Sequence, residues 1–372
     1  MHLYAMLIFK LNKLMKKPVS VFIALLIIQI SFAQHKTENL VIVTLDGMRW
    51  QEVFKGVDSA IIVNKNFTSD SDHIVKTFWS DDIDERRKKL FPFLWTTVAN
   101  EGTLFGNRTK RCEVNNANKY WFSYPGYNEI FTGYPDTAVN SNDKIKNKNV
   151  NALEFINKQK GYAGKVAAFS TWDVFPYILN KWRSGIYVNS GVDTFHFNTA
   201  QFQLLNDLQF LAPQPLDVRL DVNTYLAGRE YLKTYKPKVL YIAFDETDDF
   251  AHSGMYDQYI KSAHATDAMI ADLWRTLQSM PEYKNKTTLI VTCDHGRGDV
   301  TKEEWTTHGE KIADAGQIWI AAIGPDTKHI GEAANCSTLY QAQLATTFAA
   351  LLGFDFKPDH PVMQPIDQII SK

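Results

Sequence analysis

Three apolar, β-branched runs in this chain each stop at an acid. Residues 40–45 run into Asp46 and Gly47, residues 238–244 run into Asp245, and residues 287–293 run into Asp294, His295 and Gly296. Runs of this length and composition form buried strands. In open parallel sheets, ligands sit just beyond the carboxyl ends of the strands. One such ending is ordinary, because an Asp after a strand commonly caps a loop. Three gathered at one sheet end would crowd like charges unless a cation neutralised them.

The rest of the pattern alternates. Helical periodicity is expected over 90–102, stopped by Gly102, and over 151–158, 222–235, 256–280 and 339–352, with further strands at 165–169 and 317–323. Strands alternating with helices predict an α/β fold, with a mostly parallel central sheet covered by helices on both faces. Residues 172–217 are irregular, aromatic and proline-containing, and are expected to form a small insertion or cap near the site. The 372 residues, 45% of them hydrophobic, suffice for one large domain over 34–372.

Residues 1–33 carry Lys10, Lys13, Lys16 and Lys17 and no acid. A short apolar run over 19–28 and the small-x-small sequence Ser31-Phe32-Ala33 follow. This is the layout of a cleaved export signal, and the run is shorter than the ~20 residues of a spanning helix. A periplasmic or secreted protein without a stable membrane anchor is expected. The net charge of −1 supplies no basic field for a nucleic acid duplex. Of the three cysteines, Cys293 falls inside a strand and reads as buried, while a Cys112–Cys336 bridge is left open.

The residues that carry chemistry cluster around the strand ends. Asp248 and His252 are four apart, so one helical turn puts them on one face. Thr306-Thr307-His308-Gly309 adds a third imidazole. Asp46, Asp248, His252, Asp294, His295 and His308 give three carboxylates and three imidazoles. That set suits two zinc ions per chain, each with an open position for water or substrate. Ser123 opens Ser123-Tyr124-Pro125-Gly126-Tyr127, just before a helix expected to end at Gly133. Helix starts favour anions, and a cation lowers the pKa of a hydroxyl, so Ser123 is the candidate nucleophile; the plainer reading is a helix cap.

The order Asp46 in Leu-Asp-Gly, Ser123 in Ser-x-Pro, Asp248-x-x-x-His252, Asp294-His295-Gly296 and His308-Gly309 resembles the alkaline phosphatase superfamily, in its nucleotide pyrophosphatase/phosphodiesterase-like branch. The resemblance implies one zinc on Asp46, Ser123, Asp294 and His295, and another on Asp248, His252 and His308. It implies hydrolysis of a small phosphorylated substrate through a phosphoserine, with monoester or diester left open. A phosphotransferase, or an envelope binding protein that kept the metal site, are the alternatives. Two positions depart from the branch: Ser123 stands for its Thr, and Gly126-Tyr127 for its Asn-His. Sulfatases require Arg two residues after the Pro; Tyr127 stands there. Asn128, Asn149 and Arg297 are candidates for the remaining phosphoryl oxygen, and Trp121 and Trp172 for the leaving-group pocket. Asp245, Glu246 and Asp249 read as acids outside the ligand set, and His264 and Asp267 as surface residues.

Overall fold

The computed structural model describes residues 36–212 and 218–370. The expected export signal at 1–33 lies outside them. The strands are β1 (Asn39–Leu45), β2 (Thr103–Phe105), β3 (Val114–Asn115), β4 (Val166–Ser170), β5 (Tyr187–Ser190), β6 (Val239–Phe244), β7 (Thr287–Thr292), β8 (Gln317–Ile318), β9 (Ile320–Ile323), β10 (Gly331–Glu332) and β11 (Leu339–Tyr340). Eight of them form one sheet in the order β10-β2-β9-β7-β1-β6-β4-β5, and β11-β3-β8 form a small second sheet. The large sheet is parallel except where β9 pairs antiparallel with β2 and β7. The α/β expectation holds.

The central strands β1, β6 and β7 are buried along their whole length, which is why they read as unbroken apolar runs rather than alternating ones. Their register decides where the acids fall. Leu45 pairs with Phe244, and Thr44 with both Ala243 and Thr292. The three strands therefore end level, and Asp46, Asp245 and Asp294 leave the sheet at the same edge.

Three helices matter for the site: α1 (Ser123–Thr132), α2 (Glu246–His252) and α3 (Tyr256–Ser279). Helix α1 stops at Gly133, whose φ of 70° is left-handed.

Several boundaries differ from the sequence reading. The helix expected over 90–102 is broken at Phe91, where Leu90 ends an earlier helix and a π-turn follows at Leu94–Val98. Pro92 accounts for the break, since the residue before a proline avoids helical backbone. The strand expected over 317–323 divides at the buried Trp319 into β8 and β9. Leu339 and Tyr340 pair as β11 instead of opening the final helix, which runs Leu344–Leu351. Residues 172–212, irregular in the sequence pattern, hold short helices, the helix Ala200–Leu211 and the edge strand β5.

Cys112 and Cys336 are joined in a disulfide, and Cys293 is free and buried. Among the described residues no helix is long and apolar enough to cross a membrane.

Candidate active site

Asp46 and Asp294 stand side by side at the edge of the sheet. Both are buried, and so is His295. The sharp turn after β1 directs the Gly47 N–H onto Asp294 Oδ1 at 3.1 Å. Only glycine fits there: φ is +59°, and a Cβ would lie 2.5 Å from Asp248 Oδ1. His295 Nδ1 faces the Gly296 carbonyl at 2.9 Å. A carbonyl can only accept, so Nδ1 carries the hydrogen and the Nε2 lone pair points into the site. Nε2 lies 3.3 Å from Asp46 Oδ1 and 3.4 Å from Asp294 Oδ2.

Those three atoms, Asp46 Oδ1, Asp294 Oδ2 and His295 Nε2, are buried without a hydrogen-bond partner. Leaving one such group unsatisfied costs about 1–3 kcal/mol, so three facing one another form a costly arrangement for the bare protein. Burial, and then repulsion from Asp248, raises Asp46 well above the usual carboxylate range; burial, and then Asp46, does the same to Asp294. A divalent cation satisfies all three atoms at once. The donor set fits a metal.

The second cluster is built on α2. The Thr247 hydroxyl is bound to the Asp46 carbonyl, which docks the start of α2 against the end of β1. One turn of α2 then presents Asp248 and His252 together, with His252 Nε2 3.2 Å from Asp248 Oδ2. His308 arrives from the loop after Lys302–Thr306, its Nε2 2.9 Å from that of His252 and 3.8 Å from Asp248 Oδ1. Burial, and then His295, pushes the His308 imidazole down to about 2, so it is neutral at ordinary pH. Burial acts to raise Asp248, but Arg297 and the His252 hydrogen bond outweigh it and hold the carboxyl well below the usual range. The His295 and His308 rings stack at 3.9 Å, so the two clusters adjoin. The fold thus brings together all six residues proposed as ligands from the sequence.

Ser123 is the first residue of α1 and not the residue before it: Phe122 holds the cap position, so the helix-cap reading of Ser123 does not stand. Ser123, Gly126 and Tyr127 share one helix face at i, i+3 and i+4. That face meets the acids. A Cβ on Gly126 would fall 2.5 Å from the Asp294 carbonyl oxygen, and the Tyr127 hydroxyl donates to Asp46 Oδ2 at 2.9 Å. Ser123 is buried on this side, and its hydroxyl has no hydrogen-bond partner among the described residues.

Other expectations need correction. Asn128 and Asn149 are engaged away from the strand ends: Asn128 Nδ2 donates to the Tyr134 carbonyl, and Asn149 Nδ2 to Asp136. Arg297 is buried. It pairs with Asp248 and donates to the carbonyls of Gly47, Asp248 and Thr306. Each of its three guanidinium nitrogens is engaged within the scaffold. Asp267 is a buried acceptor for the N–H groups of Phe93 and Leu94, and His264 is half-buried with Nδ1 on the Leu90 carbonyl. No correction is needed for Asp245 and Glu246, read as acids outside the ligand set: they belong to a network around Asp221, whose carboxylate accepts both of their N–H groups.

Two residues escaped the sequence reading. Tyr127 was noted only as a departure from the pattern, with no sign of its bond to Asp46. Asn142, in the loop after α1, accepts the Tyr124 N–H through Oδ1 at 2.9 Å, which sets its amide beside the first turn of the helix. Only its polar loop context, Ser141-Asn142-Asp143, hinted at a cap.

The model of the type I phosphodiesterase / nucleotide pyrophosphatase family matches residues 57–338, three quarters of the chain. The chain belongs to that family. The match takes in Ser123, Asp248, His252, Asp294, His295 and His308, and begins just after Asp46. As a type I phosphodiesterase / nucleotide pyrophosphatase family member, the chain belongs to a family of phosphoester hydrolases. No curated protein matches it in sequence.

Solved structures show the same fold at low identity. The lipoteichoic acid synthase LtaP from Listeria monocytogenes aligns with a TM-score of 0.58 and 13% identity, covering 91% of this chain and 76% of its own. The alkaline phosphatase PafA aligns at 0.56 and 10%, covering 90% and 99%. Murine ectonucleotide pyrophosphatase / phosphodiesterase 5, solved in complex with AMP, aligns at 0.53 and 12%, covering 88% and 97%.

Proposed function

We propose that this family member is an exported, two-zinc phosphodiesterase acting through a phosphoserine at Ser123. The observation that carries the reading is the triad of buried, unpartnered atoms on Asp46, Asp294 and His295, set against the first turn of the Ser123 helix. Asp46, Asp294, His295 and Ser123 would hold one zinc, and Asp248, His252 and His308 the other. Bound there, two such ions supply charge stabilisation for the entering and departing oxygens and a hydroxide at neutral pH.

The chain's own groups do the rest. Ser123 Oγ attacks phosphorus, and the bond to the leaving alkoxide breaks as the Ser–O–P bond forms. Water then cleaves that bond, restores the hydroxyl and releases the phosphate product. The start of α1 aims its positive end at the phosphoryl group. The Asn142 amide, whose oxygen is held by the Tyr124 N–H, would donate to a non-bridging oxygen.

Diesters are favoured over monoesters by the fate of Arg297. A monoesterase places a cation on the third phosphoryl oxygen. Here the guanidinium is spent on Asp248 and three carbonyls. Murine ectonucleotide pyrophosphatase / phosphodiesterase 5 with its bound AMP supports a nucleotide-like ester as the first substrate to try. Export is supported by the layout of residues 1–33 and by the Cys112–Cys336 bond, which persists in oxidising compartments.

Hydrolysis of bis-p-nitrophenyl phosphate and p-nitrophenyl phosphate, with and without a chelator, tests the proposal. We expect chelator-sensitive turnover, at least tenfold faster on the diester and restored by zinc. Turnover that ignores the chelator contradicts the metal, and faster monoester hydrolysis contradicts the specificity.

A further inference from the structure

Trp121 is in an unusual conformation. Its φ is +51°, left-handed for a bulky residue. Outliers of this kind are strained and persist only where the surroundings enforce them. The surroundings here are specific. Asn118 Oδ1 accepts the N–H groups of Tyr120 and Trp121 at 2.9 and 3.1 Å. Asn118 is held in turn by Glu129, a buried carboxylate on α1, which takes the Asn118 side-chain amide and the N–H groups of Ala117 and Asn118, each at 2.7 Å. On the other side, the indole lies on Gly316. A Cβ there would fall 2.6–3.1 Å from three ring atoms.

The result of this constraint is a carbonyl aimed at a single target. Trp121 O faces His308 Nδ1 at 3.1 Å. Because a carbonyl only accepts, it fixes the hydrogen on Nδ1 and turns the Nε2 lone pair toward Asp248 and His252. Histidine ligands need such an outer acceptor to hold their ring orientation. His308 sits in a loop, ahead of Gly309, and Trp121 supplies what that loop lacks. Trp121 is also two residues before Ser123.

We infer that the left-handed turn at Trp121 is a positioning device: it orients His308 for the second metal and ties that metal's occupancy to the helix that carries Ser123. The inference rests on the two-metal reading above and adds to it a route, Glu129 to Asn118 to Trp121 to His308, by which the nucleophile helix sets one metal ligand.

The test compares Trp121→Asn with Trp121→Val. Both lose the indole. Asparagine tolerates left-handed backbone, and a β-branched residue does not. The readouts are zinc stoichiometry and affinity by competition with a chromogenic chelator, the visible spectrum of the cobalt-substituted protein, and the melting temperature. We expect wild type to bind two zinc ions. Trp121→Val should weaken one of them 10- to 100-fold, the size seen when an outer acceptor is lost, while Trp121→Asn stays within about threefold of wild type. Equal affinities in the two variants overturn the inference, as does equal weakening of both sites. Gly316→Ala, which leaves Trp121 in place and presses on its ring, covers the case in which the valine variant does not fold. It should show the same one-site loss, and two wild-type affinities overturn the inference. A wild type that binds no zinc refutes the two-metal reading itself.

Discussion

Tyr127 donates to Asp46 Oδ2 at 2.9 Å and so leaves Oδ1 as the atom without a partner. The phenol thus decides which oxygen of the acid faces His295. Burial, the largest cause, raises its pKa well above the ordinary tyrosine value, so it keeps its proton and donates throughout the physiological range. Tyr127→Phe removes one oxygen and keeps the ring, which packs on Phe175 at 4.6 Å. We expect zinc affinity and kcat to fall 10- to 100-fold, as for other lost outer-shell bonds, with the circular dichroism spectrum unchanged. A variant that matches wild type in zinc titration would remove Tyr127 from the account.

Gly126 sets how closely α1 approaches the sheet. Its missing side chain lets the helix backbone meet the Asp294 carbonyl, where a Cβ would fall 2.5 Å away. Gly126→Ala must push the first turn outward, and Ser123 with it. Helix propensity alone makes this exchange stabilising by about 1 kcal/mol. We expect the opposite: a lower melting temperature and at least a 100-fold lower kcat. A raised melting temperature with full activity would show that α1 does not dock as described.

Asp267 makes stability depend on pH. Burial raises its pKa to about 7, against bonds from Phe93 and Leu94 that lower it. Its unfolded value is near 3.9. Between these values the folded state holds the proton and the unfolded state does not. The contribution of Asp267 to stability is therefore complete below about pH 4 and is lost as pH rises through 7. Urea midpoints of Asp267→Asn and wild type across pH 4–8 check this. The difference between them should shift with pH in that window; a difference that stays constant contradicts it.

The Cys112–Cys336 bond joins residues 224 apart in sequence and ties the segment before β3 to the one before β11. A bridge closing so long a loop stabilises by about 2–4 kcal/mol, chiefly by restricting the unfolded chain. Replacing both cysteines with alanine should lower the urea midpoint accordingly and leave zinc binding intact. Loss of zinc binding in the folded double variant would mean that the bridge also shapes the site.

Much of this site was legible because strand and helix periodicities place residues without knowledge of packing. Three acids after three buried strands had to emerge at one sheet edge, and Asp248 and His252 had to share a helix face. What the sequence hid depends on contacts between distant segments. Asn128 and Asn149 were reasonable phosphate donors until Tyr134 and Asp136 were seen to occupy them. Arg297 looked equally suited to solvent and to substrate, yet it lies buried under three carbonyls. Asp267 looked like a surface acid on a helix, but the break that Pro92 makes at Phe91 supplies two free N–H groups that it caps. The outer partners, the Tyr127 hydroxyl that donates to Asp46 and the Trp121 carbonyl that accepts from His308, have no sequence signature, since one belongs to an ordinary core aromatic and the other is backbone.

The central claim is that two divalent metals sit between these side chains around Ser123. Anomalous diffraction at the zinc edge, from crystals of the protein grown with zinc and no chelator, tests it most directly. The account predicts two peaks about 4 Å apart, one bounded by Asp46, Asp294, His295 and Ser123 and the other by Asp248, His252 and His308. A map with no peak among these residues, or with zinc only elsewhere on the protein, would contradict it.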